Sequence, residues 1–172
     1  MAKVSDIGHF QEDIGIFLEA LGQEIARELT GPMVRDLGEG VARTAKSKLG
    51  EYQAGWAPLA DSTKATRAEA GYPADEPLLV TGTLRSSIQV TVERRKVGGV
   101  AHVGSNAPQA RIQELGGDAG VPRVHIPPRP YLAPALVEQE REIVHKVESS
   151  IAEAAERAAA RIGVLRLPDE ES

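Results

Sequence analysis

The four histidines are the side chains of this sequence best suited to bind a metal ion or to transfer a proton near neutral pH. They show no HExxH or His-x-His spacing and stand at His9, His102, His125 and His145. A metal site would therefore need residues far apart in the sequence to converge. The sequence contains no cysteine, which excludes disulfides and thiolate chemistry and is typical of a reducing compartment. We expect no metal site.

The serines, glycines and carboxylates also lack the spacing that catalysis or nucleotide binding requires. No serine stands in a GxSxG sequence, no GxGxxG opens a helix, and the glycine-rich GGVAHVG lacks the lysine of a phosphate loop. The carboxylates lie mainly on predicted helices at spacings typical of solvated faces, and no paired acids in a concave site are indicated. We expect a protein that is not an enzyme and has no cofactor. Only a deep pocket with convergent carboxylates would favour an enzyme.

One basic cluster, Arg94-Arg95-Lys96, could contact phosphate groups. It stands at the predicted turn of a hairpin and has no interleaved aromatic residues, although base stacking on aromatic rings is the usual partner of such cations. A nucleic-acid-binding module therefore stays an alternative for this chain.

The segment 126–134, IPPRPYLAP, contains four of the eleven prolines and the residues Arg129 and Tyr131. Proline fixes φ and supplies no N–H donor, so this stretch is neither a helix interior nor a central strand. A guanidinium fork suits carboxylates or carbonyls, and the flanking prolines limit its backbone freedom. We therefore predict that Arg129 is an interface or structural anchor; the alternative is a solvated arginine in a loop. Trp56, the only tryptophan, is predicted to pin its loop to the core.

The net charge of −5 is unevenly distributed. Residues 81–132 carry 7 basic and 3 acidic groups, whereas residues 1–80 carry 8 and 13, and residues 133–172 carry 5 and 9. The basic middle third is consistent with a docking surface for an acidic neighbour or for acidic parts of a second copy. Chance clustering on solvated faces is the alternative.

The length and composition predict one globular domain. The chain has 172 residues, 41% hydrophobic and 26% charged, which suffices for a single core built from aliphatic residues because aromatics are only 3%. No run of eighteen apolar residues and no signal sequence is present, so we expect a soluble protein made in the cytoplasm, with no membrane contact. The predicted domain covers 1–165, followed by a frayed tail at 166–172.

Helices are predicted at both ends of this domain. In the N-terminal part, 1–50, apolar residues at intervals of three and four predict one helix, which Ser5 or Asp6 caps and which ends at Gly31. A second helix follows, in which Gly38 and Gly40 indicate a bend or a close crossing. Residues 133–163 are predicted to form one long helix, part of which packs on another chain or projects. Its predicted apolar stripe is Leu136, Val137, Ile143, Val144, Val147, Ile151, Ala154, Ala155 and Ala158.

The predicted core, 51–132, combines loops, a hairpin and short helices. A short helix is capped by Asp61 or Ser62. Alternating apolar residues predict a strand over 84–95 that pairs with a strand at 100–104, and 123–126 is predicted as a third strand. A compact helix follows Ser105 or Asn106, with Ile112 and Leu115 inward, and stops at Gly116-Gly117. The fold class is therefore α+β, with a small antiparallel sheet packed against the N-terminal helices and a long C-terminal helix.

Four motifs, in this order, resemble the phage virion-morphogenesis proteins of the tail-completion type, over about residues 47–140. The first is Trp56, Pro58, Leu59 and Thr63 with Lys64 or Arg67, and the second is Thr81, Gly82, Leu84 and Ser87. The third is Val103, Gly104, Ser105, Ala110, Glu114, Gly116 and Gly117, with Gln109 where the family commonly has tyrosine. The fourth is Ile126, Pro127, Arg129, Pro130, Tyr131 and Leu132.

The resemblance implies structural work in a virion. Such proteins oligomerise, generally as a ring at the head-proximal end of the tail, and help to join the tail to the head connector. It implies a homo-oligomer, hexameric in the particle, whose partners are the tail terminator or tail tube protein and the connector or head-closure protein. DNA passes through without specific binding. A tail terminator or head-closure ring is the alternative role. We expect the interface or structural anchors to be Arg129, Tyr131, Glu114, Trp56, Arg94 and Arg95.

Overall fold

A computed structural model describes residues 4–29, 31–95 and 98–162, in which helices alternate with two small sheets. The helices are α1 (Val4–Glu28), α2 (Pro32–Ser47), α3 (Asp61–Glu69), α4 (Thr83–Ser87), α5 (Ala110–Leu115) and α6 (Leu132–Ile162). The strands are β1 (Ile88–Arg94), β2 (Gly99–Ser105), β3 (Gly117–Ala119) and β4 (Val124–Ile126). β1 pairs with β2, and β3 pairs antiparallel with β4. The predicted α+β class is confirmed.

These elements belong to two compact units. One unit is Met1–Val34, Arg94–Val100 and Glu142–Ser172, and the other is Arg35–Glu93 with Ala101–Arg141. We call them the helical unit and the central unit. That residues 1–165 form one domain stays a prediction, and the frayed tail predicted at 166–172 lies outside the described residues.

In the helical unit, α1 pairs with the C-terminal half of α6. Arg157 contacts Glu28 at 2.8 Å and Glu24 at 3.8 Å, while Arg161 contacts Glu24 at 3.7 Å. Since Glu24 precedes Glu28 and Arg161 follows Arg157, the two helices are antiparallel here. Among the residues of this unit whose burial the structure describes, the buried apolar ones are small, which permits close helix packing: Ala20, Ala154, Ala158 and Ala159.

In the central unit, α2 crosses the hairpin at Gly38. A Cβ at this position would lie 2.7 Å from Val90 Cγ1 of β1 and 3.0 Å from Ala101 Cβ of β2. These distances are too short for a side chain, so the predicted close crossing is confirmed at Gly38. The buried hydrophobic residues of the central unit are Val41, Ala42, Ala45, Leu49, Trp56, Leu59, Leu84, Ile88, Ala110, Tyr131 and Ala135.

Two strand predictions were wrong in part. Residues 84–87 belong to helix α4 and the strand begins at Ile88, because Gly82 adopts φ 77° and starts a helical turn. The apolar pair Leu84 and Ile88 fits an i,i+4 helical spacing as well as the alternation of a strand. The strand at 124–126 pairs with β3, a strand that was not predicted, and forms a separate sheet instead of joining the hairpin.

Several details of the helices also differ from prediction. α1 begins at Val4, so Ser5 and Asp6 lie inside the helix and do not precede it as predicted. α3 begins at Asp61 after Ala60, which forms no side-chain cap, so its predicted N-cap was also wrong. Ser105 ends β2 and α5 begins only at Ala110. Leu115 is 65% exposed, so its predicted inward position was wrong. The stripe predicted along α6 is not buried as a whole, because Leu136, Val137, Val144 and Ile151 are exposed while Ala154 and Ala158 are buried.

Candidate functional site at the proline corner

Residues 126–134, which we call the proline corner, join β4 to α6. Ile126 ends β4, α6 begins at Leu132, and Pro134 lies in its first turn. Prolines at 127, 128 and 130 have no N–H to satisfy, and the N–H of Arg129 between them donates to the carbonyl of Gln113 at 2.7 Å. The corner is therefore bonded to α5, and its φ angles are fixed by the proline rings.

Glu114 closes the start of α6. Its Oε2 accepts hydrogen bonds from the N–H groups of Tyr131 at 2.7 Å and Leu132 at 3.0 Å, and its Oε1 accepts from Ala133 at 3.0 Å. The first N–H groups of a helix have no partner within the helix, and a carboxylate there also interacts favourably with the helix dipole. A single side chain from α5 thus performs the capping that usually comes from the residue before the helix.

Arg129 ties the corner to the tryptophan loop. It is only 5% exposed, and its Nη2 donates to the carbonyls of Ala57 at 2.9 Å and Pro58 at 3.2 Å, while Nε donates to Ala57 at 3.3 Å. Burial lowers the pKa of the guanidinium below its ordinary value, because desolvation disfavours the charged form. The partners of the predicted anchor Arg129 are therefore two backbone carbonyls of the tryptophan loop.

Tyr131 and Trp56 form the apolar side of this arrangement. Tyr131 is fully buried and Trp56 is 8% exposed. The Tyr131 hydroxyl has no hydrogen-bond partner among the described residues, and its burial, together with the nearby charge of Glu114, raises its pKa to about 12. Burying one such ring contributes about 2–3 kcal/mol.

The tryptophan loop has a second attachment at Tyr52. The Tyr52 hydroxyl accepts a hydrogen bond from the N–H of Leu59 at 3.0 Å and donates to Asp75 at 2.6 Å. Lys64 from α3 contacts the other Asp75 oxygen at 3.0 Å. The hydrogen bonds from Tyr52 and Lys64 lower the pKa of Asp75, and the Asp75 bond raises the pKa of Lys64.

A groove of about 400 Å³ opens beside the corner. It lies wholly within the central unit, and its charged or titratable lining side chains are Arg67, Arg129 and His125, with no carboxylate. Leu78, on the wall, adopts φ 62°, a strained conformation for a leucine that functional sites often retain. The groove was not predicted from the sequence, since its lining comes from four separate segments, 58–67, 78–84, 109–113 and 124–129.

The first, second and fourth motifs line this groove, and hydrogen bonds connect all four motifs. Arg129 of the fourth motif bonds the first motif at Pro58, and Glu114 of the third bonds the fourth at Tyr131 and Leu132. Ser87 of the second bonds Ser105 of the third, with 2.6 Å between the hydroxyls. The order of the motifs was the one sequence signal that could have pointed to a shared site.

The remaining predicted site residues lie elsewhere. Arg94 ends β1, Arg95 follows it, and both are exposed. They belong to the helical unit, whereas the corner residues belong to the central unit. Lys96, the third member of the basic cluster, lies outside the described residues. The structure therefore brings together four of the six predicted residues: Trp56, Glu114, Arg129 and Tyr131.

A family model described as the phage virion morphogenesis family matches residues 12–158. The chain belongs to this family. The match extends beyond the four motifs into α1 and most of α6, so the family covers nearly every described element. No curated protein and no solved structure matches the chain significantly.

Membership of the phage virion morphogenesis family indicates a structural role in building a virion. Within residues 4–29, 31–95 and 98–162, no group of three or more histidines and carboxylates could hold a metal ion. Over the same residues, no helix is long and apolar enough to cross a membrane.

Proposed function

We propose that this chain is a non-enzymatic tail-completion protein, which assembles at the head-proximal end of a phage-type tail and joins it to the head connector. The observation that carries the proposal is the convergence of all four motifs on the proline corner and its groove. The convergent residues hold one another through backbone carbonyls, backbone N–H groups and a capping carboxylate. This is chemistry that fixes a shape, whereas catalysis needs groups positioned to react.

The fixed shape has a use in assembly because the corner sets the direction in which α6 starts. Glu114 caps the helix, and the buried ammonium of Lys48 donates to Glu138 one turn further along. A preorganised surface binds a partner with less loss of conformational freedom. A ring subunit must present the same surfaces to every neighbour, and a rigid corner serves that requirement.

The exposed apolar residues of α6 supply surface for such neighbours. Val137, Val144 and Ile151 are 70%, 48% and 40% exposed and recur every seven residues, which places them on one side of a helix. Apolar side chains left exposed in this pattern are typical of a protein interface. We propose a homo-oligomer, hexameric in the particle, with the tail tube or terminator protein on one side and the head connector on the other.

Electron microscopy of particles assembled without this chain tests the proposal. A joining protein should leave DNA-filled heads beside separate tails of normal length. Tails of uncontrolled length would instead identify a tail terminator, and heads that lose their DNA would identify a head-closure ring. Either result would overturn the tail-completion role.

An Arg129→Ala variant tests the role of the corner in the same assay. It removes the bonds to Ala57 and Pro58, so we expect separate heads and tails to accumulate. Arg111→Ala is the matched control, because Arg111 is exposed on α5 and does not line the groove. Circular dichroism of both purified variants separates loss of joining from loss of fold. A folded Arg129→Ala protein that supports normal particle yield would contradict the proposal.

A further inference from the structure

The groove contains a buried cation without an acidic partner. Arg129 is only 5% exposed, yet its side-chain hydrogen bonds to described residues all go to carbonyl oxygens. Carbonyls satisfy N–H donors but leave the positive charge uncompensated, which is unfavourable in a buried place. An anion that enters the groove would compensate it.

One nitrogen of this guanidinium remains available. Nε and Nη2 make the carbonyl bonds, and Nη1 makes none to a described residue. Among described residues, the polar side-chain atoms that are both fully buried and unbonded are only Gln113 Oε1 and Tyr131 Oη, so Nη1 keeps accessible surface. Arg67 lines the same groove, and its Nη1 donates a hydrogen bond to the carbonyl of Glu76. Two guanidinium groups thus face a space with no carboxylate in its lining.

The rest of the lining suits a short extended peptide. Apolar side chains are contributed by Leu59, Leu84, Val124 and Ile126, and hydroxyls by Thr81 and Thr83. The volume of about 400 Å³ lies in the range of small-ligand sites. An occupant should therefore combine an acidic group with neighbouring apolar residues.

The C-terminal part of the sequence contains a segment that combines acidic groups with neighbouring apolar residues. Asp169-Glu170-Glu171 is the only run of three consecutive acidic residues, and Leu165, Leu167 and Pro168 precede it. Residues 133–172 carry 5 basic and 9 acidic groups, against 7 and 3 in residues 81–132, which supply more than half of the groove lining. Proline biases the residue before it toward extended conformations, as groove binding requires.

We propose that the groove binds the acidic segment 167–171 of a second copy of this chain, with a carboxylate on Arg129 and Arg67 and with Leu167 and Pro168 on the apolar lining. Helix length favours a second copy. α6 has 31 residues and an α-helix rises about 1.5 Å per residue, so its ends are about 45 Å apart. Residues 163–169 span at most about 25 Å when extended. The segment of the same chain falls short of the corner, which adjoins the start of α6.

A mixing experiment tests this contact without any phage particle, so its failure is distinguishable from failure of the joining role. The labelled protein is the full chain carrying Asp169→Asn, Glu170→Gln and Glu171→Gln, enriched in ¹⁵N. Unlabelled wild-type chain is then added, and the amides of Thr81, Thr83 and His125 and the Arg129 Nε–H are followed by NMR. Shifts at these groups can come only from a second copy, and we expect them.

Three comparisons make the readout specific. Adding unlabelled chain with the same three neutral substitutions should produce no shift in the groove. The labelled protein with a further Arg67→Gln substitution should bind wild-type chain about tenfold more weakly, as expected for loss of one charge-assisted contact. The matched Arg111→Gln substitution should leave binding unchanged. None of these changes touches the carbonyl bonds of Arg129. Because Arg67→Gln removes the bond to the carbonyl of Glu76, the amide spectrum of each variant is first compared with that of the parent chain to verify the fold.

Three results would overturn the proposal. Equal shifts with acidic and neutralised partner chains would show that the carboxylates are not recognised. Shifts confined to residues outside the groove would place the contact elsewhere. The groove shifts of the wild-type chain could also differ from those of the neutralised variant at every protein concentration, while mixing the two chains has no effect. That result would assign the groove to the segment of the same chain.

Discussion

Replacing Glu114 by alanine should destabilise the protein far more than its partial exposure suggests. The substitution removes three hydrogen bonds to the N–H groups of Tyr131, Leu132 and Ala133. Water can replace the bond at exposed Ala133, whereas Tyr131 is buried and Leu132 half-buried. Two shielded bonds to a charged acceptor, each contributing about 1–1.5 kcal/mol, predict a loss of about 2–3 kcal/mol.

Urea unfolding followed by circular dichroism measures this loss. With a slope of about 2–3 kcal/mol per molar, the unfolding midpoint should fall by about 1 M. Glu114→Gln keeps one acceptor oxygen and should lose about half as much. The control is Glu140→Ala, since Glu140 is exposed on α6 and makes no hydrogen bond to a described residue. If Glu114→Ala and Glu140→Ala shift the midpoint equally, the capping role of Glu114 is refuted.

Three further predictions concern other parts of the molecule. Burial keeps the Tyr131 phenol neutral and raises its pKa from 10 to about 12, so the free energy of unfolding should fall by up to about 3 kcal/mol as pH rises from about 10 to 12. Tyr131→Phe should abolish this pH dependence in urea unfolding at alkaline pH, and an unchanged pH dependence would contradict the prediction. Gly38→Ala should lower the melting temperature, because the added methyl group would clash with the hairpin at a cost of about 1–3 kcal/mol. Gly22→Ala on α1, where the space around the glycine is open, should instead stabilise the protein by about 0.5–1 kcal/mol. Equal effects of the two substitutions would refute the crossing at Gly38. Arg94→Ala with Arg95→Ala should change nothing in a DNA gel-shift assay, because the wild-type chain should not bind DNA at physiological salt; a salt-sensitive shift that this pair abolishes would favour the nucleic-acid-binding alternative.

The helices were largely predictable because their signals are local. Gly31, with φ 67°, separates α1 from α2 as expected from a glycine before proline, and Gly116 ends α5 with its N–H on the carbonyl of Ile112. The strands were less predictable, because pairing depends on distant residues. A three-residue strand such as β3 carries too little periodicity to be recognised.

The candidate site was predicted as separate residues and not as an arrangement. The unusual composition around Arg129 indicated the corner, and the resemblance indicated Glu114. No local pattern shows that Glu114 caps a helix that starts eighteen residues later. The same holds for Arg129 and the carbonyl of Ala57, which are 72 residues apart. Such contacts depend on tertiary packing, which periodicity and spacing do not specify.

In vitro joining tests the central claim most directly. Tails and DNA-filled heads are purified from particles assembled without this chain, mixed with the purified protein, and scored for infectious particles. We predict that the wild-type chain restores infectivity and that the folded Arg129→Ala chain does not. It would be contradicted if heads and tails join equally well without the protein, or if the wild-type chain fails to join tails of normal length to DNA-filled heads.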